Sequence, residues 1–276
     1  MRYDFDTVID RRNTDCAKWD GMAPLFGADD LLPMWVADMD FKAPPEVMEA
    51  LRERLDHGVF GYTRRFEPYR EAIAGWFLRR HGWQIDTAWI RHAPGVVPAL
   101  AISIMAFTQP GEGVLVQPPV YYPFFSTIRG RGRTVVENPL KFAGGRFEMD
   151  FDDLERKLDD SAVKLVFLCS PHNPVGRVWS PEELARFGEI CAARGVVVVS
   201  DEIHCDILYR GVRHTPLASV SDAMRESTVT TVAPSKTFNI AGLATAAVII
   251  PSRRLRDDYQ SLVDFMHIDG GNVFGA

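Results

Sequence analysis

Lys164-Leu-Val-Phe-Leu-Cys-Ser-Pro-His-Asn-Pro-Val-Gly176 leads into Ser180-Pro-Glu-Glu183 and then into Gly195-Val-Val-Val-Val-Ser-Asp-Glu202. Residues 165–168 form an unbroken apolar run, which predicts a strand covered on both faces. Ser180 and Glu183 stand three apart as a capping box with Pro181 at the first helical position, so a helix begins there and should end near Gly195. Residues 196–199 predict a second buried strand, and it delivers Ser200, Asp201 and Glu202 at its carboxyl end. This is a βαβ unit, and open α/β sheets bind their ligands beyond such strand ends.

The same alternation extends outward from about residue 45. Further strands are predicted at 114–117, 134–137, 228–232 and 244–250. Helices are predicted through Val47, Leu51 and Leu55, over 68–81 before Gly82, over 96–107, and through Leu255, Tyr259, Leu262 and Met266 after Ser252. The expected fold is α/β, a doubly wound and mostly parallel sheet. Residues 1–44 lack periodicity and are expected to be an N-terminal arm and small-domain segment, with 45–276 as the large domain.

Composition narrows the function classes. A chain of 276 residues, 46% of them hydrophobic, can bury a sizeable core. A net charge of -6 lacks the basic footprint of nucleic-acid binding, which favours small-molecule chemistry. The basic run Arg129-Gly-Arg-Gly-Arg133 is expected to be a solvated turn. The apolar run 244–250 is far shorter than the roughly 20 residues that cross a bilayer. Cys16, Cys169, Cys191 and Cys205 form no C-x-x-C pair and follow no secretory leader, so a reduced, cytoplasmic protein is expected. No metal is expected at Asp201, His204, Cys205 and Asp206, because most of such a run alternates across a strand.

Four pieces carry the candidate chemistry: Ser170-Pro-His-Asn173-Pro-Val-Gly176, Asp201-Glu-Ile-His204, Ser235-Lys236-Thr-Phe-Asn-Ile-Ala-Gly242, and Tyr121 within Pro118-Pro-Val-Tyr-Tyr-Pro123. Each has an ordinary reading alone: a turn, a strand end, a surface lysine. Their joint occurrence at the ends of strands of one sheet changes the weighing. With Pro33-Met-Trp-Val-Ala-Asp-Met-Asp-Phe41 and His57-Gly-Val-Phe-Gly-Tyr62, the chain resembles fold-type I pyridoxal-phosphate enzymes of the aspartate aminotransferase superfamily. Within them it looks most like the MalY/PatB-type carbon–sulfur β-lyases.

The resemblance implies pyridoxal 5'-phosphate held by Lys236 as a Schiff base, with the freed lysine amine acting as base toward the substrate's α-proton. It implies Asp201 beside the cofactor's ring nitrogen and Asn173 on its phenolic oxygen. His204 falls where many aminotransferases have a tyrosine, and a histidine bonded into the sheet end is the alternative. Tyr121 is the expected stacking residue, with Tyr122 competing for that place. Gly95, Val96 and Val97 open a helix whose N–H groups face the phosphate. Ser235 adds a hydroxyl, and Tyr62 reaches the phosphate of a neighbouring subunit in a homodimer with shared sites.

The implied reaction is α,β-elimination of cystathionine or related cysteine S-conjugates to a thiol, pyruvate and ammonia. A class I/II aminotransferase is the alternative, and Ala244, where aminotransferases place an arginine, weighs against it while Gly242 fits both. Family members also continue beyond this chain's last residue, so an incomplete small domain is expected, without the arginine that grips the substrate's α-carboxylate. A truncated, cofactor-binding regulatory protein without turnover is the second alternative.

Overall fold

The computed structural model describes residues 3–268 and 270–275. The first 44 residues are mostly irregular, with two short helices, α1 (Ala17–Asp20) and α2 (Met22–Phe26). Two longer helices follow, α3 (Pro45–His57) and α4 (Glu67–His81). Each has proline in its first turn and stops at a glycine with left-handed φ, Gly58 at 71° and Gly82 at 68°.

The chain then runs β1 (Ile90–Ala93), α5 (Val96–Phe107), β2 (Gly113–Val116), α6 (Pro123–Arg129) and β3 (Thr134–Glu137). A hairpin of β4 (Lys141–Ala143) and β5 (Arg146–Glu148) precedes α7 (Phe151–Leu158). The second half is β6 (Val163–Cys169), α8 (Pro181–Ala193), β7 (Val197–Asp201), α9 (Asp222–Ser227), β8 (Thr228–Val232), α10 (Pro234–Thr237), β9 (Ala246–Ile249) and α11 (Arg253–Phe265).

Seven strands form one sheet in the order β1-β9-β8-β7-β6-β2-β3. β9 runs antiparallel to both its neighbours and the remaining pairs are parallel, so the sheet is mostly parallel as the pattern predicts. Strand β6 shows why its run is continuously apolar. Leu165 and Phe167 face one core with Leu100, Phe124 and Tyr259, while Val166 and Leu168 face another with Leu184, Phe187 and Met224. Burying each such side chain stabilises by about 1.5–3 kcal/mol.

The capping box at α8 is complete. Ser180 Oγ accepts from the Glu183 amide at 3.2 Å, and Glu183 Oε2 accepts from the Ser180 amide at 2.8 Å. Arg177 Nη2 donates to the same carboxylate at 2.6 Å, fixing the entry of the helix.

The structure corrects several details. The predicted strand 244–250 starts at Ala246, because Ala244 adopts left-handed φ of 46° after a 3-10 turn. Met266 caps α11 rather than lying in it. Strand β1 and the β4–β5 hairpin escaped the pattern, β1 because Arg91 and His92 interrupt its apolarity at a sheet edge. The arginine run is not a freely solvated turn: Arg133 donates to the Thr108 carbonyl at 2.6 Å, and Arg131 donates to that of Thr127 at 3.1 Å. Among the described residues no helix is long and apolar enough to cross a membrane.

Candidate active site

Strand pairing assembles the site. Cys169 at the end of β6 lies opposite Asp201 at the end of β7, which lies opposite Thr231 of β8. The loops leaving these ends carry Asn173, His204 and Lys236 to one side of the sheet. They border a cavity of about 560 Å³ lined by Lys236, Ser235, Asp201, His204, Asn173, Tyr121, Tyr122, Val96 and Val97. Ligand pockets commonly span about 300–1,000 Å³. Gly95 stands just behind this wall as the N-cap of α5, without a side-chain cap, so the helix's first N–H groups are left for a ligand. Tyr62 is the exception, fully exposed and outside the cavity.

Electrostatics sort these residues. Asp201 is 3% exposed, and burial pushes its carboxyl up to about 7, against the hydrogen bond from the Ile203 amide. A buried carboxyl so placed calls for a cation or a donor. The Lys236 amine is lowered by burial, although Asp38 and Asp201 pull the other way. Burial and nearby Lys236 hold His204 down to about 4, so its ring is neutral at pH 7. Tyr121 is half-buried with its hydroxyl pKa raised, chiefly by burial, and its ring packs edge-on to Phe124. Tyr122 is largely exposed.

The 33–41 segment closes one side of the cavity through Met34, Trp35, Val36 and Ala37. Its acidic residues are tied back to the arm: Arg11 bonds Asp38 at 2.7 Å and Asp40 at 2.9 Å, and Lys18 bonds Asp40 at 2.6 Å. Although burial opposes it, bonds from Lys18, Trp19 and Arg11 hold Asp40 at about 2. Toward the lysine, Lys236 Nζ donates to the Ala37 carbonyl at 3.0 Å, and the Asn239 amide bonds main-chain atoms of Met39 and Phe41.

Three further polar groups, Glu202, His214 and Asp206, have no role assigned by the sequence. Glu202 and His214, both with fully buried side chains, meet at 2.8 Å, and Ser200 Oγ and the Leu217 amide also donate to Glu202. Asp206 accepts from Trp76 at 3.0 Å and from Thr237 at 2.9 Å, and lies 3.1 Å from His81 Nε2. His81, Cys205 and Asp206 bring possible ligand atoms within 4.8 Å of one another, but the Asp206 oxygens are already engaged. Asn239 sat within a quoted motif without a role, and nothing in its neighbours' spacing points to the distant segment it binds.

An open α/β sheet with a lysine, a buried carboxyl and an asparagine converging at its strand ends defines a class. Residues 29–272 match the family Aminotransferase class I and II, and the chain belongs to it. Within that family the chain is 50% identical over 272 residues to cystathionine beta-lyase PatB of Bacillus subtilis (strain 168), covering 99% of this chain and 70% of that protein. It is 38% identical to Protein MalY of Escherichia coli (strain K12), covering 94% and 66%. The crystal structure of cystalysin from Treponema denticola, which contains pyridoxal 5'-phosphate, superposes with a TM-score of 0.92 at 41% identity, covering 96% of this chain and 68% of that one. The chain thus spans between 66% and 70% of these relatives' lengths.

Proposed function

We propose that the chain is a pyridoxal-phosphate-dependent carbon–sulfur β-lyase acting on cystathionine or related cysteine S-conjugates. The observation that carries this reading is the convergence of Lys236, Asp201 and Asn173 on one cavity in a chain half identical to a cystathionine beta-lyase. The cavity suits the cofactor. Asp201, a buried carboxyl held up to about 7, is matched by a protonated pyridine nitrogen, and the uncapped start of α5 by a phosphate. Lys236, Asp201, Asn173, Tyr121, Ser235, Val96 and Val97 would hold it, with Gly95 shaping the phosphate turn and His204 beside the ring. When bound, the cofactor takes up the electron pair left at the substrate's α-carbon.

The remaining work belongs to side chains. Lys236, its amine pKa lowered by burial, is placed to remove the α-proton. Asp201 would stabilise a protonated ring nitrogen when the cofactor is bound. The carbon–sulfur electron pair leaves with sulfur, which departs as the thiol after taking a proton. One water is consumed overall, giving pyruvate and ammonia. Val36 and Trp35 supply apolar surface to the cavity wall.

Around this core, residues 1–44 are read as arm and small-domain segment and 45–276 as the large domain. A homodimer follows from the same reading, with the exposed Tyr62 serving a neighbouring copy's phosphate. The four free, buried cysteines suit a reducing, cytoplasmic compartment.

The test is steady-state pyruvate release from cystathionine by the purified, cofactor-loaded chain, with and without an oxo-acid acceptor. Acceptor-independent pyruvate is expected. Turnover that requires the acceptor would make the chain an aminotransferase instead.

A further inference from the structure

We infer that Asn239 is a positioning residue that sets the distance between the 33–41 wall of the cavity and the Lys236 amine. Its side-chain amide makes three hydrogen bonds to main chain some 200 residues away. Oδ1 accepts from the Met39 amide at 2.9 Å, and Nδ2 donates to the carbonyls of Met39 at 2.8 Å and Phe41 at 2.7 Å. Because every partner is backbone, the clamp fixes the path of the segment rather than any one side chain.

Asn239 also sits at φ 55°, in the left-handed region where asparagine is among the few tolerated side chains. That turn carries the amide out of the lysine loop and onto the segment. Among the described residues, the hydrogen bonds joining the two segments are these three and the one from Lys236 Nζ to the Ala37 carbonyl.

The fourth bond is lost whenever the lysine amine turns to its chemistry. Asn239 alone then holds the wall in register, at the moment when Val36 and Ala37 border the ligand. The far side of the segment is secured independently, by Asp38 and Asp40 on Arg11 and Lys18. Loss of the Asn239 clamp therefore loosens the wall on the lysine side without freeing the segment from the arm. The inference rests on the lyase reading only for the class of ligand, an α-amino acid.

The experiment compares wild type with Asn239→Gly, which keeps the left-handed turn without strain, and with Asn239→Asp, which keeps the acceptor for Met39 but sets a carboxylate against two carbonyls. Hydrogen exchange of the cofactor-loaded proteins reads the clamp directly. In both variants the amides of 33–41 should exchange at least about tenfold faster, as expected for losing such bonds, while β6 and β7 are unchanged. Titration of the near-visible band with L-alanine, which has no leaving group, should show Kd raised about tenfold or more in both variants. Wild-type exchange in 33–41, or faster exchange with an unchanged alanine Kd, overturns the inference. If Asn239→Gly does not fold, Asn239→Asp decides by the same two readings. Failure of the wild type to release pyruvate from cystathionine sinks the lyase reading instead, and leaves both comparisons intact.

Discussion

Lys236 and Ala37 meet across 199 residues of sequence, with Nζ donating to the main-chain carbonyl at 3.0 Å. The contact parks the amine at the cavity edge, on a partner that water can replace. Lys236→Ala should therefore fold normally, within about 1 kcal/mol of wild type. Its pyruvate release should fall at least about a hundredfold, the usual range for losing a positioned base. Urea unfolding and a pyruvate assay check the two halves, and a variant retaining turnover would remove Lys236 from its role.

Asp201 should reveal itself most clearly in the cofactor-free protein. Its folded pKa of about 7 lies above the ordinary 3.8. Between these values the folded state holds the proton more tightly than the unfolded chain, so stability is lost as pH rises through the window. The loss amounts to about 4 kcal/mol once pH exceeds 7. Asp201→Asn should flatten this slope and be the more stable apoprotein at pH 8, yet release no pyruvate when cofactor is supplied. Parallel pH profiles of urea stability for the two apoproteins would refute the assignment.

Two histidines act in the opposite sense. Burial holds His172 and His204 near 4, below the ordinary 6.5. Such groups stabilise the fold above pH 6.5 and lose that contribution as pH falls toward 4. For His172, 2% exposed, the full effect is about 3 kcal/mol. Thermal melts from pH 7 to 4 should show a shallower acid decline in His172→Gln than in wild type, and identical slopes would exclude the mechanism.

His214 and Glu202, the residue that follows Asp201, form a fully buried pair. Removing one partner leaves a buried polar group without that hydrogen bond, at a typical cost of about 1–3 kcal/mol. His214→Leu should lose stability in that range by urea unfolding at pH 7.5. A loss below about 1 kcal/mol would mean that Glu202 finds another partner.

Most of the sheet was legible because its central strands are buried on both faces. The continuous apolar run at 165–168, the β-branched run at 228–232 and the Ser180–Glu183 cap announce themselves without tertiary knowledge. Lys236, Asp201 and Asn173 were legible because a parallel sheet gathers strand ends, so motifs scattered over 64 positions fall together. Strand β1 was hidden by Arg91 and His92, whose polarity an edge position tolerates. The ties of Asn239, Asp40 and Asp206 were hidden for a different reason. Each joins segments distant in sequence, and no local period encodes a contact made to backbone or to a lone tryptophan.

The tie between the 33–41 segment and Asn239 also bears on how the chain matures. During synthesis at about 5–20 residues per second, the roughly 200 residues between them take some 10–40 s to emerge. Throughout that interval Met39 and Phe41 have no partner in the lysine loop, while the arm's ion pairs with Asp38 and Asp40 can already form. The cavity wall can thus be tied to the arm before the lysine loop emerges, whereas the Asn239 clamp can close only afterwards.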